Sequence, residues 1–353
     1  MRFSVIVAAM ITCAVPAEGQ LGGSQLVTGL VIAKADESPL PHAMVTLQPA
    51  GRETFTDDRG RFSFARVPPG NYRLRVIHLG FSPTEQSLSV VVDSEITRLR
   101  VELGEVQVRL AAIHVTAEGP CVAPGAPDPL KQPEFAMIFQ QLEQNAQQFR
   151  LLADSFPYAY RVARTEYSLR GDSVIEGRHV DTLLLKSNSR RWTYRAGRVV
   201  TSSILTREHL MHLPTLADFA SDEFVKSHCF RYGGEEQTSD GSAVRINFRA
   251  ADRLGSPDVN GTILLDATLY QIRRADLQLF KIPFELSKDV AAVSVTTLFR
   301  EVEPSVLVFS NVHGKSTMIP TRNRKNYIET PEDQVLLDFS FLRADPRRGD
   351  QKP

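Results

Sequence analysis

The sequence predicts a mainly β chain: an N-terminal β-sandwich, one linking amphipathic helix, then a second antiparallel β-rich region with the character of a curved or half-barrel sheet. Three observations carry this. From Gln25 to Leu103 short stretches alternate apolar and polar residues and are punctuated by Gly, Pro and Asp turns. A single stretch, Pro133 to Asp154, repeats its apolar residues at steps of three and four. From Tyr158 onward the alternation returns.

The first nineteen residues read differently. Arg2 is followed by an apolar run from Phe3 to Val15 and by the small or polar residues Ala17, Glu18, Gly19 and Gln20. One positive charge, a short apolar core and small residues spaced for a peptidase describe a secretory signal peptide cut after Ala17 or Gly19. The run falls short of the roughly 20 residues a spanning helix needs. Cys13 opens a lipoprotein alternative, but Met10-Ile11-Thr12 lacks the small residue expected before a lipid-modified cysteine. The expectation is export to the periplasm, the outer-membrane periphery or the medium. No later stretch is apolar enough to cross a membrane as a helix.

In the sandwich, residues 20–104, Leu26 to Ile32 form the first strand and Pro39-Leu40-Pro41 breaks the chain. Ala43 to Leu47 alternates. Thr56-Asp57-Asp58-Arg59-Gly60 is a turn, because aspartates bond their own backbone and glycine accepts positive φ. Phe62 and Phe64 share a face. Val67-Pro68-Pro69-Gly70 turns again into Tyr72 to Val76, and Ser87 to Val92 and Thr97 to Leu103 complete the unit. The Asp57-Asp58 pair is read as turn chemistry, since a calcium site needs further oxygen ligands.

These ordered motifs, Gly29-x-Val31, Pro41-x-Ala43-x-Val45-x-Leu47, Thr56 to Phe64 and Val67 to Leu74, resemble the carboxypeptidase regulatory-like domain. The resemblance implies a transthyretin-like sandwich in a protein of the bacterial envelope, and implies no peptidase activity. Val106 to Glu118 is similar to the strand that follows the same sandwich in TonB-dependent receptors, although too few residues follow for a plug and a large barrel. Residues 105–132 hold that strand and a Pro-rich linker, Pro120 to Pro129.

In the helix, residues 133–154, Pro133 suits the first turn. Phe135, Ile138, Phe139, Leu142, Ala146, Phe149 and Leu152 form one apolar face. The opposite face is rich in glutamine and is read as solvent-facing. Residues 155–345 supply strands at Tyr158–Val162, Thr165–Leu169, Asp181–Leu185, Arg191–Tyr194, Ala243–Phe248, Gly261–Leu265, Gln271–Leu279, Ala292–Phe299 and Val335–Phe341, and 346–353 form a disordered tail. The hairpin at Gly261–Arg274 resembles those of curved sheets that carry lipoproteins across the periplasm. The arrangement that includes Phe224-x-x-x-His228-Cys229-Phe230 resembles bacterial envelope proteins carrying the same sandwich, a likeness that implies architecture and no activity.

The chain has 353 residues, 41 Lys and Arg against 41 Asp and Glu, so no field favours nucleic acid or an anionic membrane. Once Cys13 leaves with the signal peptide, Cys121 and Cys229 remain. In an oxidising compartment they form one disulfide, with two separate buried thiols as the alternative. Histidines cluster in Glu208-His209-x-x-His212, with Asp218, Asp222 and His228 nearby. That spacing lacks the glutamate pattern of helical metallopeptidases, so no metal ligand and no cofactor is assigned. There is no Gly-x-Ser-x-Gly elbow, Ser-x-x-Lys motif or phosphate loop, and no catalytic residue is assigned. The expected function is a non-enzymatic binding or docking module with an envelope protein partner. The alternatives are a lipid or carbohydrate binder, with Trp192 and Tyr194 as the ligand platform, and a divergent hydrolase built on the histidines.

Overall fold

A computed structural model describes residues 25–91, 96–106, 119–155, 157–171, 173–187, 189, 192–202, 209–239, 241–303, 306–320 and 328–342. The expected signal peptide, most of the strand expected at Val106–Glu118 and the expected tail 346–353 lie outside them.

The chain is mainly β. Its first unit comprises β1 (Gln25–Ala33), β2 (Met44–Gln48), β3 (Arg52–Phe55), β4 (Arg61–Val67), β5 (Gly70–Ile77), β6 (Thr84–Val90) and β7 (Ile96–Leu103). They form two sheets in the orders β4-β1-β7 and β3-β2-β5-β6, with β7 parallel to β1 and the other pairs antiparallel. Alternating side chains from both sheets, among them Val31, Val45, Phe62, Phe64, Leu74 and Val101, fill the space between them. The turn before β4 shows why its residues are of those types. Asp57 Oδ1 accepts the backbone N–H groups of Arg59 and Arg61 at 2.9 and 2.8 Å. Gly60, at φ +71°, sits so close to Val31 that a Cβ would meet its carbonyl at 2.6 Å.

After α1 (Pro133–Ser155) the chain forms β8 (Tyr158–Arg170), β9 (Ser173–Lys186), the short pair β10 (Val200–Ser202) and β11 (His209–Met211), a 3₁₀ turn at Asp218–Ala220 and the one-turn helix α2 (Asp222–Val225). Then come β12 (His228–Thr238), β13 (Gly241–Ala250), β14 (Asp258–Asp266), β15 (Ile272–Phe280), β16 (Val290–Glu303), β17 (Val306–Met318) and β18 (Ile328–Phe341). Nine of these make one open antiparallel sheet, ordered β12-β13-β14-β15-β16-β17-β18-β8-β9. Gly261 in β14 is obligatory, because a Cβ there would lie 2.1 Å from the Asp276 carbonyl and 2.8 Å from the Phe248 ring.

Three sequence expectations change. The two short strands read at Tyr158 and Thr165 are one continuous β8, and of the strand expected at Arg191–Tyr194 the described residues, Trp192 to Tyr194, run without sheet pairing. The strands β3, β12 and β17 had no clean alternation to announce them. Most instructive, the glutamine face of α1 is not solvent-facing. Gln141, Gln144 and Asn145 are at most 2% exposed. Gln141 bonds Gly80 N and Phe81 O of the sandwich, at 2.9 and 3.2 Å. Asn145 donates to the Tyr270 carbonyl at 2.8 Å and accepts from Ile272 N at 3.1 Å. The helix is therefore covered on both sides, its apolar face by the nine-stranded sheet and its amide face by backbone of the sandwich and the β14–β15 turn. A shared apolar cluster of Met44, Phe55, Ile77, Leu151, Leu152, Tyr158, Val306 and Leu336 completes the junction.

Candidate binding groove

The α1 helix covers only part of the sheet. Phe135, Ile138, Phe139 and Leu142 pack over β12 to β15, against Phe230, Ile246, Phe248 and Ile263, with Phe219 and Phe224 alongside. Beyond Phe149 the same face of the sheet, along β15 to β17, forms the floor of an apolar cavity of about 330 Å³, its β15 edge buried and its β16 and β17 residues partly exposed. Ala275, Leu277, Thr297, Phe299, Phe309 and Val312 make the floor, with Tyr160 of β8 at one end. The register slips between Leu298 and Phe299, which pair with Asn311 and Phe309, leaving Ser310 unopposed. This bulge turns the Phe309 ring onto the groove side, where it meets Tyr160 edge to face with centroids 5.4 Å apart.

The other wall is made by Trp192, His212 to Leu216 and Phe219. Trp192 stacks on His212, with centroids 5.0 Å apart and planes 10° apart. Burial holds the His212 pKa below the ordinary histidine value, so the ring is neutral at pH 7. Two buried carboxylates fasten this wall. Asp218 Oδ2 accepts both the N–H and the hydroxyl of Thr215 at 2.8 Å, and its Oδ1 accepts Tyr194 N at 3.3 Å. Asp258 Oδ2 accepts the Tyr194 hydroxyl and Gly197 N, each at 2.8 Å. Burial pushes the Asp258 carboxyl up, but the neighbouring His228 and the hydrogen bonds from Gly197 and Tyr194 outweigh it, so its pKa lies below the ordinary value. The Tyr194 hydroxyl is driven upward, by burial first and by Asp258 second. No charged side chain lines the cavity.

The expected ligand platform is thereby divided. Trp192 lines the groove, whereas Tyr194 is 4% exposed, its ring against Phe224 and its hydroxyl committed to Asp258. Tyr194 is a structural residue and presents no face to a ligand, because its hydroxyl is the donor that Asp258 needs in the core. The histidine cluster also disperses. His209 bonds Ser202 and His212 bonds Thr201, both at the surface. His228 is fully buried among aromatic rings, both nitrogens facing the carbonyls of Phe224 and Val259 at 2.9 and 3.0 Å, with Asp258 3.6 Å away. Asp222 pairs with Lys226 at the surface. Among the described residues no three His, Cys, Asp or Glu side chains gather as a metal site. Cys121 and Cys229 are bonded to each other, tying the segment before α1 to β12. No helix among the described residues is long and apolar enough to cross a membrane.

The groove's key residues were hidden from sequence reasoning. Phe299 and Phe309 are ordinary strand aromatics until the bulge and the end of helix coverage leave them open, and Asp218 and Asp258 carry no motif. The one available signal was an unpaired aspartate within an apolar run, as in Leu216-Ala217-Asp218-Phe219-Ala220.

Solved structures with related geometry include a domain assigned to outer-membrane lipoprotein sorting from Vibrio parahaemolyticus, 10% identical over 59% of this chain and 92% of that one, with a TM-score of 0.32. A DUF1329 family protein from Desulfovibrio piger is 8% identical over 58% and 94% of the two chains, with a TM-score of 0.31. The minor pilin of Streptococcus agalactiae is 15% identical over 26% of this chain, with a TM-score of 0.22, and the match spans about half of that pilin, 48%. Likeness at these values says nothing about activity. No curated protein matches the sequence. The family model for the carboxypeptidase regulatory-like domain matches residues 26–104, and the sandwich of β1 to β7 is such a domain.

Proposed function

We propose that this chain is a non-enzymatic, exported envelope protein that binds an apolar ligand, an acyl chain, in the groove over β15 to β17. In this reading residues 20–104 are a docking unit and residues 155–345 carry the ligand surface. The observation that supports it is the groove itself: about 330 Å³, floored by Leu277, Phe299, Phe309 and Val312 and free of charged lining residues. Binding pockets of this size and character occur where a scaffold leaves apolar surface open but walled. The carbohydrate alternative finds less support, because a sugar platform needs an open aromatic face and one face of Trp192 is stacked on His212.

Native mass spectrometry of protein purified from its envelope fraction tests this. The reading expects a bound acyl lipid that organic extraction removes and a fatty alcohol restores, and expects Phe309→Asp to abolish rebinding while leaving the fold intact. A lipid-free protein that takes up no fatty alcohol contradicts it. A second reading, docking of an envelope protein partner, has its own observation. Val180, Leu184, Leu298, Val335 and Leu337 are all exposed, and the pairing register sets Leu298 beside Asn311 and Asn311 beside Val335, on the opposite face from the groove. Cross-linking from photoreactive residues placed at 184 and 335 separates the two, since only the docking reading expects one reproducible protein adduct there.

A further inference from the structure

The groove floor does not stop at its apolar residues. Thr297 pairs with Val312, Val312 with Gln334, Gln334 with Arg164 and Arg164 with Asp181. Directly paired residues share a face, so this row leads from the cavity across β18, β8 and β9. The neighbouring row runs from Val295 to Gly314, Glu332 and Glu166. Gly314 leaves open space, where a Cβ would have no neighbour nearer than 3.8 Å, and so keeps the path between Val295 and Glu332 clear. The floor therefore passes from apolar to charged within three strands.

The charges on that end are unequal. Arg164 is its one lysine or arginine among the residues of these two rows, facing the carboxylates of Glu332, Glu166 and Asp181. One guanidinium against three carboxylates leaves two negative charges. Arg164 is already engaged, since its Nε and Nη2 donate to the two oxygens of Glu332 at 2.9 and 3.1 Å and it also pairs with Glu166. Glu332 in turn accepts from Gln334 at 2.7 Å. Asp181 and Glu166 are half-exposed and open to a further partner, with His179 3.2 Å from Asp181 as the remaining titratable neighbour. The Arg164 charge is already compensated by Glu332 and Glu166, so an anionic headgroup would meet a net negative field. A cationic headgroup would meet its complement.

We propose that the groove selects amphiphiles whose polar head carries a positive charge, the chain lying over Phe299 and Phe309 and the head beside Glu166 and Asp181. This rests on the groove being the ligand surface. Trp192 is the only tryptophan in the chain and lines the cavity, so its fluorescence reports binding directly. Titration with dodecyltrimethylammonium, dodecanoate and the neutral monolauroylglycerol, each below its micelle concentration, is the test. At low salt the cation is expected to bind about tenfold tighter than the carboxylate, with the gap closing as salt is added. The Glu166→Gln, Asp181→Asn double variant leaves the Arg164–Glu332 pair in place. It is expected to bring cation and carboxylate affinities together and to leave monolauroylglycerol unchanged. A carboxylate that binds as tightly as the cation, or a preference that survives in the double variant, overturns the headgroup assignment while monolauroylglycerol binding keeps the groove. Failure of all three, the neutral probe included, overturns the groove and with it the headgroup.

Discussion

The two halves of the nine-stranded sheet differ in what lies on them. Over β12 to β15 the inward residues are nearly all buried under α1, the 3₁₀ turn and α2, as in β13, where Val244, Ile246, Phe248 and Ala250 alternate with more exposed neighbours. Over β16, β17, β18 and β8 most residues are only partly buried, and most described residues of β9 are exposed. The same kind of strand thus serves as core where a helix covers it and as ligand surface where none does. Helix length decides the boundary: α1 passes on to the sandwich junction at Leu151 and Leu152, and among the described residues the sheet face beyond Phe149 is walled by Trp192, His212 to Leu216 and Phe219.

The comparison can be broken most strongly at the staple of the covered half. Replacing Cys121 and Cys229 together by alanine opens a loop of 108 residues and is expected to cost up to about 5 kcal/mol in the chain-entropy account, read as a shifted denaturant midpoint. Masses of the native protein with and without reductant check the bond itself: two free thiols would remove the staple from the account. Next comes Asp258→Ala, which strips the wall's anchor and leaves buried donors on Tyr194 and Gly197. A loss of about 3–5 kcal/mol is expected.

The same carboxylate sets a pH dependence. Its folded pKa lies below the reference 3.8, so its contribution is complete above the unfolded carboxylate range and is lost as pH falls through the folded value. Thermal melts of wild type are expected to drop below about pH 4 more steeply than those of Asp258→Asn. Equal slopes would show that the anchor does not titrate with folding.

Ile263→Ala against Phe309→Ala sharpens the contrast between halves directly. The first opens a cavity beneath α1 and is expected to cost about 2–5 kcal/mol. The second removes a half-buried groove ring and is expected to cost about 1 kcal/mol while abolishing binding of the neutral amphiphile. Similar costs in chemical denaturation would mean that the two halves are one core. Gln141→Leu orphans Gly80 N at the sandwich junction, while Phe81 O keeps its bond from Gln144, and is expected to cost about 1–3 kcal/mol. Exchange protection should fall at residues 78–82 and stay unchanged on β12.

How much of this was legible in the sequence follows from what each residue pattern encodes. The sandwich was readable because its turns need particular chemistry, Asp57 and Gly60 above all, and because Phe62 and Phe64 can only alternate inward. The helix was readable from its apolar spacing, and its amide face was misread for a physical reason. Gln141, Gln144 and Asn145 look like surface residues, yet they are uncharged, and an uncharged polar face can be buried wherever backbone groups wait for partners. The groove was not readable. It depends on a bulge at Ser310 and on where a helix ends relative to a sheet, and neither is written in local periodicity. Tyr194 was read as half of a ligand platform, because its alternation with Trp192 gives no hint of a carboxylate 64 residues away that takes its hydroxyl.

Hydrogen–deuterium exchange of the whole protein, with and without monolauroylglycerol, tests the division of the sheet most directly. The account predicts strong protection of β13 and β14 in both states, and new protection on ligand addition confined to β16, β17 and the wall of Trp192, His212 to Leu216 and Phe219. Protection that rises equally over β12 to β15, or that does not change anywhere, would contradict it.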